Sequence, residues 1–283
     1  MTPFTRFLTF IRFSHTLFAL PFALGAMAVA ASSSGGWPGW RIFLLILLCM
    51  VLARTAAMTF NRVVDWEIDK RNPRTAARHT LLGKGTAIAT CTASAVMFVV
   101  TAFLINRACF LLSPLALVLV LFYSLTKRFT HAAQFFLGLA LSASPVGAWI
   151  AVTGSLAWPP LVLAFGVLCW VAGFDMIYAT QDVEADKREG LHSMVVRLGI
   201  PGALKLAGWL HLLMFVALIG FGLSAHLGMI YFLGLIPIPF LLFYEHHMAG
   251  SLDIKEINKA FFETNAVIGF LFVGIVVIDR CFH

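Results

Sequence analysis

Seven of the chain's thirteen acidic residues fall in two short windows. The first reads Asn61-Arg62-Val63-Val64-Asp65-Trp66-Glu67-Ile68-Asp69. The second reads Asp175-Met176-Ile177-Tyr178-Ala179-Thr180-Gln181-Asp182-Val183-Glu184-Ala185-Asp186. In both, polar groups recur every four residues. On a helix, four residues advance about 400°, so each side chain lies only about 40° from the one before and about 6 Å further along the axis. Asn61, Asp65 and Asp69 therefore share one stripe, and Tyr178, Asp182 and Asp186 share another. Like charges at this spacing destabilise a bare helix by roughly 0.2–0.5 kcal/mol per pair, so the stripes call for a cation. Mg²⁺ suits them, because it takes one or two carboxylates and completes its octahedron with water and phosphate oxygens. Two facing stripes of this kind can hold Mg²⁺ against a diphosphate. Solvated helix ends would explain one such window, but they explain two at equivalent places poorly.

Basic residues follow each stripe. Lys70, Arg71, Arg74, Arg78 and Lys84 come after the first, and Lys187, Arg188 and Arg197 after the second. Arginine grips phosphate through two donors at once, and lysine acts as a point charge. Arg74 and Arg78 are four apart and share a face, while Lys127 ends another apolar segment on the same side. These three and Lys187 are the candidates for diphosphate binding; an ordinary excess of positive charge at one membrane face is the competing explanation. Asp175 lies deeper than Asp182, inside an apolar segment, where a carboxylate is costly and marks function.

The elements that must position these groups are membrane spans. Of 283 residues, 60% are hydrophobic and only 12% charged, against about 25% charged in soluble domains. Apolar runs of about 20 residues, long enough to cross the hydrocarbon core, occur at roughly 14–33, 39–63, 86–106, 109–126, 131–153, 159–182, 203–224, 227–245 and 262–281. The runs are continuous rather than alternating, which predicts helices and not barrel strands. The fold class is all-α: a polytopic membrane protein of about nine transmembrane helices, with residues 1–283 as a single domain. The apolar core Leu17–Ala31 of the first run resembles a secretory leader, but sixteen residues precede it, and a retained helix is expected.

Sixteen Lys and Arg residues fall on the side of the N-terminus and both acidic windows; three fall opposite, and Arg54 lies within the second span. The positive-inside rule therefore puts the N-terminus and both windows in the cytoplasm, with the protein in the inner (cytoplasmic) membrane. The net charge of +7 reflects basic residues facing headgroups or an anionic substrate, not nucleic acid. Five scattered cysteines offer neither a zinc pair nor a disulfide framework. Without a phosphate-binding G-x-x-x-x-G-K-[ST] loop, ATP-driven transport is disfavoured. A cation-coupled transporter is the alternative, but its carboxylates should lie near the midplane on broken helices rather than crowd one interface. No obligate protein partner is evident.

Asn61-x-x-x-Asp65-x-x-x-Asp69 followed by Asn72-Pro73-Arg74-Thr75 resembles the first signature of the UbiA family of intramembrane prenyltransferases, and Tyr178-x-x-x-Asp182-x-x-x-Asp186 resembles the second. The similarity runs along the whole chain. It implies helices around a central cavity, Mg²⁺ bridging the diphosphate of a polyprenyl diphosphate, and transfer of the prenyl group to a small aromatic acceptor. The catalytic, metal-holding residues would be Asp65, Asp69, Asp182 and Asp186, with Asn61 as a further ligand. Arg12 and His15, at the inner end of the first span, would meet the acceptor together with Asp175 and Tyr178; an interfacial anchor is the competing explanation for the first two. Arg12-Phe13-Ser14-His15-Thr16, Ala143-Ser144-Pro145-Val146-Gly147-Ala148-Trp149 and the stretch Gly173–Ser193 are similar to the 4-hydroxybenzoate polyprenyltransferase-like branch, which serves ubiquinone synthesis. Some of that branch serves menaquinone synthesis through the futalosine route, with a dihydroxynaphthoate acceptor. His79 and His192 depart from residues usual in the benzoate enzymes, and this opens the choice of acceptor.

Overall fold

The computed structural model describes residues 2–12, 16–34, 37–71, 75, 77, 80–250 and 253–282. His15, Arg74 and Arg78 lie outside the described residues. A short helix α1 (Pro3–Phe10) precedes α2 (Thr16–Ala30), α3 (Trp40–Val64) and α4 (Trp66–Arg71). The chain continues through α5 (Lys84–Ile105), α6 (Arg107–Thr126), α7 (Ala133–Thr153), α8 (Trp158–Ala179) and α9 (Val183–Arg188). It ends with α10 (Met194–Ser224), α11 (Met229–Gly234), α12 (Pro237–Gly250), α13 (Ile254–Lys259) and α14 (Asn265–Phe282). Among the described residues eight helical stretches are long and apolar enough to cross a membrane, and Phe18–Ala30 is a shorter apolar helix. The nine apolar runs in the sequence thus become an all-helical, multi-pass membrane bundle.

Helix α8 is the most buried span and the outlying pair α5 and α6 the least. In lipid, exposing Leu111, Leu115 and Val118 on α6 costs nothing, so association depends on close packing and polar contacts. Gly138 on α7 illustrates the packing: a Cβ there would press on the backbone carbonyl of Leu168 on α8. The core is aromatic, with Phe22 stacked on Phe272 at 4.7 Å and against Trp170 at 4.9 Å.

Polar staples join the spans. Asp279 of α14 accepts from the backbone N–H groups of Gly228 (2.9 Å) and Tyr231 (3.0 Å), capping α11 from a distant helix. Asn106 caps α6 through Cys109 N–H and donates to the Ile150 carbonyl at the end of α7, both at 2.8 Å.

Both acidic windows depart from the continuous helical stripes expected of them. Helix α3 stops at Val64, Asp65 adopts φ −89° and ψ 14°, and α4 restarts at Trp66. In the second window α8 tightens into a 3₁₀ turn over Thr180–Asp182 before α9 begins. Aspartate side chains compete for nearby backbone groups and favour helix ends over interiors. The Asp65 N–H still bonds the Asn61 carbonyl, and the Asp69 N–H bonds the Asp65 carbonyl (2.9 and 2.7 Å), so the residues remain in register.

Candidate functional site

The cytoplasm-predicted ends of α3, α6 and α8 surround a chamber of about 260 Å³. Asn61, Asp65 and Asp69 line it from one side and Tyr178, Asp182 and Asp186 from the other, with Lys127, Arg12 and Asp175 also in its wall. Nine of the residues singled out from spacing and resemblance therefore meet in one place. Lys187 does something else: its Nζ pairs with Glu184 at 3.3 Å on an exposed turn.

Cations interleave with the carboxylates. Arg62, almost fully buried, contacts Asp69 at 3.5 Å and the Asn61 side-chain oxygen at 3.5 Å. Asn61 donates to Asp65 Oδ2 at 3.1 Å, and Arg128 reaches Asp65 Oδ1 at 3.2 Å and the Val64 carbonyl at 2.8 Å. On the facing side Lys127 contacts Asp186 at 3.4 Å. Burial is the largest influence on the Asp65 carboxyl and pushes it above the usual carboxylate range; the Arg128 hydrogen bond opposes this and Asp69 adds to it. Burial alone would depress Lys127, but Asp186, Asp175 and Asp182 outweigh it and hold the ammonium above its usual value.

Among the described residues no three His, Cys, Asp or Glu side chains converge into a ready-made metal cage. The oxygen donors nevertheless fit Mg²⁺, which usually takes only one or two carboxylates and leaves the rest of its shell to water and phosphate. Beneath the chamber lies a second cavity of about 190 Å³, lined almost entirely by apolar side chains from α2, α3 and α5 to α7. Arg54, Tyr123, Leu137 and Leu141 belong to the walls of both.

Arg54, Arg62, Arg128 and Tyr123 were not singled out from the sequence. Arg54 carried a signal, since a charge within a span is functional by default. Its Nη2 donates to the Arg12 carbonyl at 3.4 Å, and its buried Nε has no hydrogen-bond partner among the described residues. Arg12 has φ +47°, and its Nη1 donates to the Tyr178 hydroxyl at 3.3 Å.

The profile of the UbiA prenyltransferase family matches residues 19–272. A 4-hydroxybenzoate octaprenyltransferase of Vibrio vulnificus is 31% identical over 270 residues, covering 93% of this chain and 92% of the relative. One from Nitrosospira multiformis is 31% identical over 247 residues, covering 85% and 84%. Among solved structures, a UbiA homolog from Aeropyrum pernix K1 in its apo form superposes with a TM-score of 0.83 at 27% identity, covering 94% of this chain and 98% of that one. A UbiA homolog from Archaeoglobus fulgidus bound to GPP and Mg²⁺ shares the fold with a TM-score of 0.72 at 22% identity, covering 98% and 99%. With the facing acidic windows, the helical bundle and the full-length match all in agreement, the chain is a prenyltransferase and belongs to the UbiA prenyltransferase family.

Proposed function

We propose that the chain, acting as one unit over residues 1–283, transfers a polyprenyl group from polyprenyl diphosphate to a small aromatic acid in quinone biosynthesis, releasing diphosphate. The observation that carries this reading is a chamber walled by two sets of carboxylates and cations, adjoining an apolar cavity with which it shares four wall residues. That arrangement suits a molecule with an anionic head and a hydrocarbon tail. The acceptor is 4-hydroxybenzoate, named in the relatives, or a dihydroxynaphthoate; these lead to ubiquinone and menaquinone respectively.

In this reading Asp65, Asp69, Asp182 and Asp186 hold Mg²⁺, with Asn61 as a further oxygen donor. Mg²⁺ held by these residues would supply neutralisation of the charge that builds on the departing diphosphate. Lys127, with Arg128, holds the phosphate oxygens, while the buried Arg62 braces Asp69; Arg74 and Arg78 extend that set, and the exposed Lys187 stands apart from it. The allylic C–O bond breaks with its electron pair going to diphosphate, the electron-rich ring carbon bonds the allylic carbon, and the ring releases a proton. The prenyl tail lies in the apolar cavity. Arg12 and Arg54 offer partly buried guanidinium groups to the acceptor's carboxylate, with Asp175, Tyr178 and His15 around the ring. In this reading the chamber faces the cytoplasm at the inner membrane, which the excess of Lys and Arg on that side supports.

Membranes carrying the chain, supplied with labelled polyprenyl diphosphate, test the proposal. The expected result is Mg²⁺-dependent labelling of 4-hydroxybenzoate or of dihydroxynaphthoate. Labelling of neither acceptor would overturn it, and the preference between them identifies the quinone.

A further inference from the structure

A buried polar cluster lies behind the chamber wall, where α10, α12 and α14 meet. Glu245 of α12 is fully buried, and its Oε1 accepts from the Asn265 side-chain amide at 2.6 Å. Its other oxygen lies 3.9 Å from Nδ1 of His211 on α10, which in turn contacts His246 Nε2 at 3.0 Å. Polar groups this deep in a span are costly and are retained for a reason. A plain helix staple would need only the Glu245–Asn265 contact. The Asn265 amide does more.

Residues Ala260–Thr264 form a π-turn immediately before α14. Such wide turns displace the regular hydrogen-bond ladder and recur at functional sites. Here the Asn265 backbone N–H goes to the Phe262 carbonyl, and the Asn265 side-chain Nδ2 takes up the Phe261 carbonyl at 2.9 Å. Both amide protons of Asn265 thus have assigned acceptors: Glu245 and the Phe261 backbone. Phe261 lines the chamber, and its ring lies 4.4 Å from that of Tyr178, 5.3 Å from Phe174 and 5.2 Å from Phe18. Tyr178 in turn receives Arg12. From the other side, His211 fits only because residue 173 is glycine, two positions before Asp175; a Cβ there would collide with His211 Nε2.

We infer that Glu245 and Asn265 are positioning residues: they clamp the π-turn so that Phe261 presents its ring beside Tyr178 as the aromatic wall that receives the acceptor. Offset or edge-on rings attract an aromatic ligand beyond simple area burial, but only if the wall's backbone is fixed. This rests on the acceptor site proposed above and adds the specificity element to it.

The test uses E245Q, N265D and the double variant E245Q/N265D in bilayer-reconstituted enzyme. Each is measured for acceptor KM, polyprenyl diphosphate KM and thermal midpoint, and for the ¹⁹F shift of 4-fluorophenylalanine at position 261. In E245Q, the introduced amide's oxygen still accepts from Asn265, so all four readings stay near wild type. In N265D the Phe261 carbonyl loses its side-chain donor and two carboxyls abut. The midpoint falls, the fluorine shift moves, and acceptor KM rises about three- to tenfold, the worth of one hydrogen bond, while diphosphate KM holds. In the double variant the amide introduced at position 245 donates to the carboxylate introduced at position 265, so the midpoint recovers. The Phe261 carbonyl still lacks its amide donor there, and both acceptor KM and fluorine shift remain displaced. Recovery of acceptor KM together with the midpoint would reduce the cluster to a structural staple and overturn the inference. So would a parallel rise in both KM values, or an unmoved fluorine shift in N265D. If wild type prenylates neither acceptor, the proposed function fails, and the fluorine shift alone still decides whether the clamp exists.

Discussion

Replacing Arg62 with leucine isolates the electrostatic logic of the chamber from its chemistry. The Arg62 side chain is only 6% exposed and its partner Asp69 12%, with 3.5 Å between charged atoms. At an effective dielectric of about 20, that separation corresponds to roughly 5 kcal/mol of attraction. Breaking a buried pair from one side costs about 3–5 kcal/mol, because the surviving charge loses its compensation. The expected consequence for R62L is a thermal midpoint lowered by on the order of 10 °C, measured in detergent without divalent ions. The informative step is adding Mg²⁺ with inorganic diphosphate. If Asp69 holds metal, the ion replaces the lost guanidinium, so the ligands should raise the midpoint of R62L by more than they raise that of wild type. A ligand at about a hundred times its dissociation constant contributes about 2.7 kcal/mol, which is enough to see. Equal ligand shifts in the two proteins, or an undisturbed R62L, would refute the reasoning.

Other expectations test separate parts of the account. Arg54→Leu should raise the KM for a carboxylated acceptor by about tenfold or more, the worth of a charged hydrogen bond, and leave that of a phenol lacking the carboxylate nearly unchanged. Asp279→Ala strips the distant cap from Gly228 and Tyr231; denaturation should show a loss of about 2 kcal/mol or more from buried unpaired donors, while KM for polyprenyl diphosphate holds. Gly138→Leu should separate α7 from α8, where the glycine faces the Leu168 carbonyl, and size-exclusion chromatography should report poor folding. Chelation should abolish turnover, with Mg²⁺ restoring it.

The spans were legible because the bilayer leaves little choice: nine apolar runs stood out, and the described residues form eight helices long and apolar enough to cross it and one shorter apolar helix. The four-residue spacing of Asp65, Asp69, Asp182 and Asp186 pointed to one shared site, and the four residues line one chamber. It missed the interruptions at Asp65 and at Thr180–Asp182, because a perfect helical period cannot report where a helix breaks. Arg62 and Arg128 were hidden among basic residues that the positive-inside rule explains equally well. The Glu245–Asn265–His211 cluster had no spacing signature, since its members lie on three helices; only Glu245, a charge within the run 227–245, could have pointed to it. Lys187 shows the opposite failure: it adjoins Asp186 in sequence, yet its side chain turns outward to Glu184.

The most direct measurement of the central claim is diphosphate release by purified protein supplied with polyprenyl diphosphate and aromatic acceptor, titrated with Mg²⁺. Wild type is compared with Asp65→Asn and Asp182→Asn, one substitution from each facing window. The account predicts metal-dependent release coupled one-to-one to prenylated product, falling by at least about a hundredfold in either variant, as when one charge-stabilising group is lost from an active site. Release that persists after chelation, or that either substitution leaves intact, would contradict it.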